Sequence, residues 1–325
     1  MSRTSIILII ILAVQFGIFA IVSSNPSRVQ EPEPVVKIDT SEVDYVHIKN
    51  EDGDVTLKRI GGNWRVSEPF SYPANPSYAN TLMEKIAEMD YESFITRNKD
   101  KYLDYEVDDS SGAFVEVGKE GGDIEKFYCG KPSKTYTHTY IRKLDSGEVW
   151  LVSGTPRSSF TRKPKDWRDK KILDLDKTLI ERVLLHFPDE TVELSRSISS
   201  PANDTTLVQA DTSWTIIPKH GKPFTPDEKV LNRVMNTCKR MNSMDFKIPG
   251  VDKTPDFSKP ELRAEIFLEG NRRELLEFMP DPDDDKRWVV RKNDNDDIYF
   301  VVYESTAKNL QKRPDDFKEK KEEKS

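Results

Sequence analysis

Cysteine, histidine and glycine are all scarce in this chain, and each shortage narrows what it can do. Two cysteines, Cys129 and Cys238, allow one disulfide or two buried thiols. Without a C-x-x-C pair or a His/Cys cluster, no structural metal site is written in the sequence. The histidines, His47, His138, His186 and His220, are scattered, and none stands with a serine or cysteine in a nucleophile-elbow setting, so Ser-His-Asp chemistry has no support. Gly118, Gly121 and Gly122 do not make the strand–GxGxxG–helix arrangement that cradles a nucleotide. Neither sign of charge dominates: 57 acidic and 50 basic residues are interspersed, for a net charge of −7. That balance gives no footing for a nucleic-acid partner. Apolar residues are also few, at 36%, which favours small half-exposed sheets over one thick core. The residues therefore point to no enzyme, no catalytic residue, no metal and no cofactor.

One long apolar run is present. Residues 6–22, IILIIILAVQFGIFAIV, are broken only by Gln15 and Gly17. As a helix they would span about 25 Å, against about 30 Å of hydrocarbon. A retained anchor, a cleaved signal peptide and a buried helix are the rival readings. The missing small-x-small cleavage site and the missing lipid-bearing cysteine favour the anchor. Arg3 and the amino terminus then orient the N-terminus inside and the body outside the cytoplasm. The expectation is a single-pass inner-membrane protein with its body in the periplasm, touching the bilayer through residues 6–22.

The remainder reads as α+β: two tandem repeats of antiparallel sheet with a packed helix. The expected divisions are an anchor over 1–24, a linker over 25–40, a first unit over 41–162, a connector over 163–180, a second unit over 181–310 and a charged disordered tail over 311–325. In the first unit, 43–49 and 55–60 alternate as strands. Gly61-Gly62 makes a reversal and Trp64 lies in a third strand. The prolines between 69 and 76 break the ladder. Tyr78, Leu82, Ile86 and Met89 then recur at helical spacing, and a four-stranded meander follows. The second unit repeats this order, with Trp214 matching Trp64 and a helix over 227–241 carrying Val230, Val234, Cys238 and Met241 on one face. Tyr140-Ile141-Arg142 matches Val289-Val290-Arg291, and Val149-Trp150-Leu151 matches Ile298-Tyr299-Phe300. His47 and His186 fall in corresponding first strands.

Few side chains invite a functional reading. Trp64 and Trp214 are expected as core anchors, and Trp167 as the residue that docks the connector. Strand alternation puts Tyr140 and Arg142 on one face, where an exposed pair could contact a partner; an ordinary aromatic–cation surface pair is the rival. Asp281-Pro282-Asp283-Asp284-Asp285 reads as a turn, because a calcium loop needs a glycine at its sixth position and a glutamate at its twelfth.

One resemblance covers most of the body, roughly residues 40–310. Trp64, Pro69, Tyr105, Gly118, Tyr140, Arg142, Trp167, Asp169 and Lys170 stand where a family of unknown function, the DUF4340 proteins, carries its motif residues. The family's usual Gly-Leu after the tyrosine is Glu106-Val107 here. The resemblance implies a bacterial, membrane-anchored protein with no catalytic residues to carry over. It also implies a membrane protein complex as partner, with ABC-type transporter subunits, including gliding-related systems, as the candidates. The expected function is a non-enzymatic scaffold or accessory subunit; the alternative is a module that binds a small ligand or glycan between the units, and a hydrolase ranks third.

Overall fold

The computed structural model describes residues 14–15, 33–68, 70–199 and 211–319, and the chain divides into two compact units, Met1–Asp169 and Lys170–Ser325. An α+β, largely antiparallel architecture is present. The membrane reading is corrected: among the described residues no helix is long and apolar enough to cross a membrane. The single-pass anchor, the inner-membrane location, the bilayer contact and the membrane-complex partners are therefore not retained. Of the run 6–22, only Val14 and Gln15 belong to the described residues.

Unit one contains β1 (Glu33–Pro34), β2 (Tyr45–Asn50), β3 (Gly53–Ile60), β4 (Asn63–Glu68), β5 (Tyr72–Pro73), α1 (Pro76–Ala87), β6 (Asp90–Thr96), β7 (Ala113–Gly118), β8 (Ile124–Pro132), β9 (His138–Lys143), β10 (Val149–Ser153) and α2 (Arg157–Phe160). The described strands form one sheet in the order β1-β6-β10-β9-β8-β7-β2-β3-β4-β5. Sequence patterning separates two meanders; the structure fuses them where β2 pairs with β7. The period-two pattern explains the fusion. Val46, Ile48, Val55, Leu57, Val115 and Val117 are all fully buried, so three strands share one apolar face. Helix α1 starts on Pro76, where a missing N–H costs little, and is capped by the Asn75 side chain, which accepts from Ser77 N and Tyr78 N. Its buried residues Ala79, Leu82, Met83 and Ile86 join the sheet's core.

Unit two contains β11 (Lys171–Asp174), β12 (Ile180–His186), β13 (Thr191–Ser199), β14 (Asp211–Pro218), α3 (Glu228–Lys239), β15 (Arg240–Asn242), β16 (Asp245–Lys247), β17 (Leu262–Leu268), β18 (Arg272–Asp281), β19 (Asp284–Lys292), β20 (Tyr299–Tyr303) and α4 (Glu304–Leu310). Its main sheet runs β14-β13-β12-β17-β18-β19-β20-β16, and β11 pairs with β15. This is the order β4-β3-β2-β7-β8-β9-β10-β6 of unit one. The registers agree as well: Val46 faces Leu57 and Val117, and Val183 faces Leu194 and Ile266.

The equivalence reaches further along the chain than the alternating strands. Asn75 N donates to Trp167 O at 2.7 Å, and Asp227 N donates to Phe317 O at 2.7 Å. Both aromatics end a proline-initiated 3-10 turn, Pro164–Trp167 and Pro314–Phe317, and both are fully buried. At the other end, Asp39 accepts from Ser41 N and Asp176 from Thr178 N, just after the buried pairs Val35/Val36 and Ile172/Leu173. Segments with linker composition thus complete the two cores. Part of 25–40 is buried, 163–180 divides between the units, and Phe317 anchors the stretch expected as a tail. Residues 320–325 lie outside the described residues.

Two matches shift. Trp150 faces Ile141 as Phe300 faces Val290, so Trp150 corresponds to Phe300 rather than to Tyr299. His186, three residues after Val183, takes the place of Lys49, three after Val46. His47 corresponds to Leu184.

Candidate functional site

Tyr140 and Arg142 share the outer face of β9, as alternation requires, but that face is covered. Two 3-10 turns, Lys99–Lys101 and Leu103–Tyr105, lie over it. Tyr102 and Val107 pack there with Val149, flanked by Ile95, Tyr105, Tyr128 and Tyr140. Arg142, only 8% exposed, holds this cover down. Its Nε donates to Val107 O at 2.7 Å and a terminal nitrogen donates to Asp109 Oδ1 at 2.5 Å. Its guanidinium carbon lies 4.1 Å from the Tyr128 ring centroid and 4.7 Å from that of Tyr102. The Tyr140 ring is tilted against that of Tyr105, with centroids 4.7 Å apart. The pair expected to reach a partner works inside the molecule.

The covering segment bends at Glu106, whose φ of 54° lies in the left-handed region. Glycine adopts that region without steric cost, which gives a physical reason for Gly at this motif position. Gly130 lies beneath: a Cβ there would meet Tyr105 O at 2.3 Å and Val107 Cγ1 at 2.5 Å. Beyond the bend, burial raises the Asp108 carboxyl, but hydrogen bonds from Ser110 and Ser111 outweigh it and hold the group well below the usual carboxylate range.

Beside this segment a groove of about 480 Å³ opens on the sheet face, bordered by His47, Lys49, Asp54, Asp109, Phe114 and Tyr128. The sheet builds it as a lateral row: Lys49 faces Phe114, Phe114 faces Tyr128, and Tyr128 faces Arg142. The Phe114 and Tyr128 rings are tilted at 5.3 Å, and His47 stands edge-on to Phe114 at 6.1 Å. His47 Nε2 is 3.1 Å from Asp54 and its Nδ1 is 3.4 Å from Glu116.

The equivalent row of unit two is ionic. His186 faces Arg263, Arg263 faces Glu277, and Glu277 faces Arg291. Arg291 bonds Glu277 through Nε at 2.6 Å and Asp296 at 3.2 Å, and its guanidinium lies 5.3 Å from the Phe257 ring centroid. Phe257 packs with Val289 and Tyr299 in a second outer cluster. Sequence reading found Arg291 opposite Arg142 but missed the covering segments, whose clustered aromatics (Tyr102 and Tyr105; Phe257) were the available signal.

The three tryptophans expected to be structural, Trp64, Trp167 and Trp214, differ in burial. Trp167 is fully buried and Trp64 is 9% exposed, beneath the Arg59 guanidinium at 4.9 Å. Trp214 faces Arg196 as Trp64 faces Arg59, yet it is only partly buried. Ala74 N donates to Trp64 O at 2.9 Å. The residue in the same place before the second helix cap is Pro226, which has no N–H to give.

The remaining candidates are accounted for by local partners. The Lys247 ammonium stands among Asp281 Oδ1 at 2.6 Å, Asp283 Oδ2 at 2.7 Å and Lys253 O at 2.9 Å, so the aspartate-rich turn encloses a side-chain cation. Burial pushes Lys247 down, the two carboxylates push it up, and the net shift is upward. Among the described residues, no group of three or more His, Cys, Asp or Glu could hold a metal ion. Cys129 and Cys238 are free and buried, and burial pushes each thiol up to about 12. His138 pairs with Glu92 at 2.7 Å and His186 with Glu265 at 3.2 Å; His220 is exposed.

No curated protein and no solved structure matches the chain. A family match runs from Trp64 in β4 to Glu265 in β17, residues 64–265, more than half of the chain. The chain belongs to the family described as "Domain of unknown function (DUF4340)".

Proposed function

We propose that the chain is a non-enzymatic scaffold that holds a protein partner by strand addition at the open edge of β14. One observation carries this reading: unit one covers this edge along β4, whereas among the described residues unit two pairs only the Ile216 end of β14. On β4, Tyr72 pairs with Val66 and Ala74 N reaches Trp64 O. On β14, Phe224 bridges Ile216 in the same way, but Pro226 ends the cover, and among the described residues no strand lies beyond β14.

Ile216 N and O both face Phe224, so by strand period the N–H and C=O groups of Trp214 and Thr212 point off the same edge. Edges are normally blunted by lysine, proline or a bulge. The strand sequence DTSWTIIP has no lysine, and its proline lies at the far end, past the Phe224 bridge. Ile198, 56% exposed, lies diagonal to Trp214 on the same face. An extended segment with an apolar side chain fits there, with backbone bonds giving affinity and the Trp214/Ile198 surface giving selectivity.

The test is Thr212→Pro in the full chain, which removes an outward donor and no ladder bond. Proteins retained by the wild type and lost by this variant at unchanged thermal stability support strand addition. Identical retention by both overturns it.

A further inference from the structure

We infer that the groove on the outer face of unit one binds a neutral saccharide. This site is separate from the β14 edge and does not rest on the strand-addition reading.

The first argument is the contrast between equivalent rows. Unit two shows that this sheet position is held without aromatics, by Arg263 and Glu277 at 4.0 Å and by Arg291 and Glu277 at 2.6 Å. Unit one places Phe114 and Tyr128 there instead, neither of them fully buried, and a cavity of about 480 Å³ opens over them. That volume lies within the range of small-ligand sites, about 300–1,000 Å³. Arg142 takes one face of Tyr128, which leaves Phe114 as the ring against which an apolar sugar face can pack.

The second argument is charge. Asp109 lies 2.5 Å from Arg142 and Asp54 lies 3.1 Å from His47, and Lys49 and Glu51 add one charge of each sign to the lining. An anion would meet three carboxylates, Glu51, Asp54 and Asp109, and a cation would meet Lys49 and the Arg142 guanidinium. A neutral ligand rich in hydroxyls suits the remaining lone pairs, because an ionised carboxylate accepts several hydrogen bonds. The Asp109 side chain is 81% exposed and that of Asp54 is 55% exposed, so both oxygen sets can be reached. The Arg142 clamp fixes the Asp109 side of the groove before any ligand arrives, which limits the entropy lost on binding.

The test uses the full chain with three neutral probes, maltotetraose, cellotetraose and tetra-N-acetylchitotetraose, measured by calorimetry and by ligand-observed NMR. The variant is Phe114→Arg combined with Tyr128→Glu, which installs the row that unit two already carries and so keeps a fold-compatible pairing. At least one probe is expected to bind the wild type, with affinity falling by about tenfold or more in the variant, since that is about 1.4 kcal/mol of ring packing. Unchanged melting of the variant shows that the sheet is intact; if it melts early, Phe114→Ser alone is the substitute. The inference is overturned if no probe binds the folded wild type at about 10 mM, a contact energy of under about 3 kcal/mol. It is equally overturned if binding survives the substitutions.

Discussion

Across the β8–β9 ladder the Arg142 guanidinium lies 4.1 Å from the ring centroid of Tyr128; at the same position in unit two, Arg291 bonds Glu277 at 2.6 Å. Both arginines point away from the main core of their sheet, and both pin a covering segment to its outer face. The anchors differ in part: Arg142 uses two aromatic faces, the Val107 carbonyl and Asp109, and Arg291 uses Glu277, Asp296 and the Phe257 ring. Arg142→Ala removes a charge-assisted bond to Asp109, a bond to Val107 O and two ring contacts. The expected loss is about 2–4 kcal/mol, read from urea unfolding. Arg142→Lys restores less than half of it, because an ammonium cannot reproduce the planar fork. A loss under about 0.5 kcal/mol would show that the cover is held by its apolar contacts alone.

The covering segment supplies a second prediction. Glu106 has left-handed backbone, so Glu106→Gly should be more stable than Glu106→Ala by about 1 kcal/mol. Both variants lose the 2.7 Å pair with Arg157, so their difference isolates the backbone. Gly130→Ala should destabilise by about 1–3 kcal/mol, because its Cβ lands on Tyr105 O and Val107. Chemical denaturation of the three variants decides the matter. Equal stability of the glycine and alanine forms at 106 would contradict the left-handed turn.

Acid should loosen the same segment. The folded Asp108 carboxyl titrates below its unfolded value, so its contribution is fully present above the unfolded pKa of about 3.9 and is lost as pH falls through the folded value. Amide protection at Ser110 and Ser111 should hold at neutral pH and fall away below about pH 4. Asp108→Asn should flatten that dependence. A segment equally protected at acid and neutral pH, or one that loosens on raising the pH, would contradict the assignment.

Both thiols should be silent in the native protein. Burial pushes Cys129 and Cys238 up to about 12, so neither forms the reactive thiolate at pH 8. A chromogenic disulfide reagent should titrate them only after unfolding. Fast reaction of either one in the folded chain would place it at the surface.

Much of the fold was legible because period-two alternation marks strands buried on one face. The helix stripe Leu82, Ile86 and Val234, Cys238 was legible for the same kind of reason. What escaped was structure that buries a few residues inside polar segments. Phe317 sits in a charged stretch, and only the Pro-x-Asp-aromatic spacing it shares with Trp167, the residue expected to dock the connector, marks the two as equivalent. Val35 and Val36 follow a proline-rich stretch whose composition reads as linker. Alternation placed Tyr140 and Arg142 on one face correctly, but it cannot say what lies over that face, because the cover comes from a segment some forty residues earlier. Trp214 was matched to Trp64 by its place in the repeated order, which carries no information about how deeply either ring is buried.

The central claim is that the β14 edge is open for pairing where β4 is covered. Residue-resolved amide hydrogen exchange on the full chain tests it most directly. The Ile216 amide, bonded to Phe224 O at 2.9 Å, should exchange slowly, and the amides of Thr212 and Trp214 should exchange at rates close to those of an unstructured peptide. Protection of Thr212 and Trp214 as strong as that of Val183 in the sheet interior would contradict the account, because the edge would already be filled.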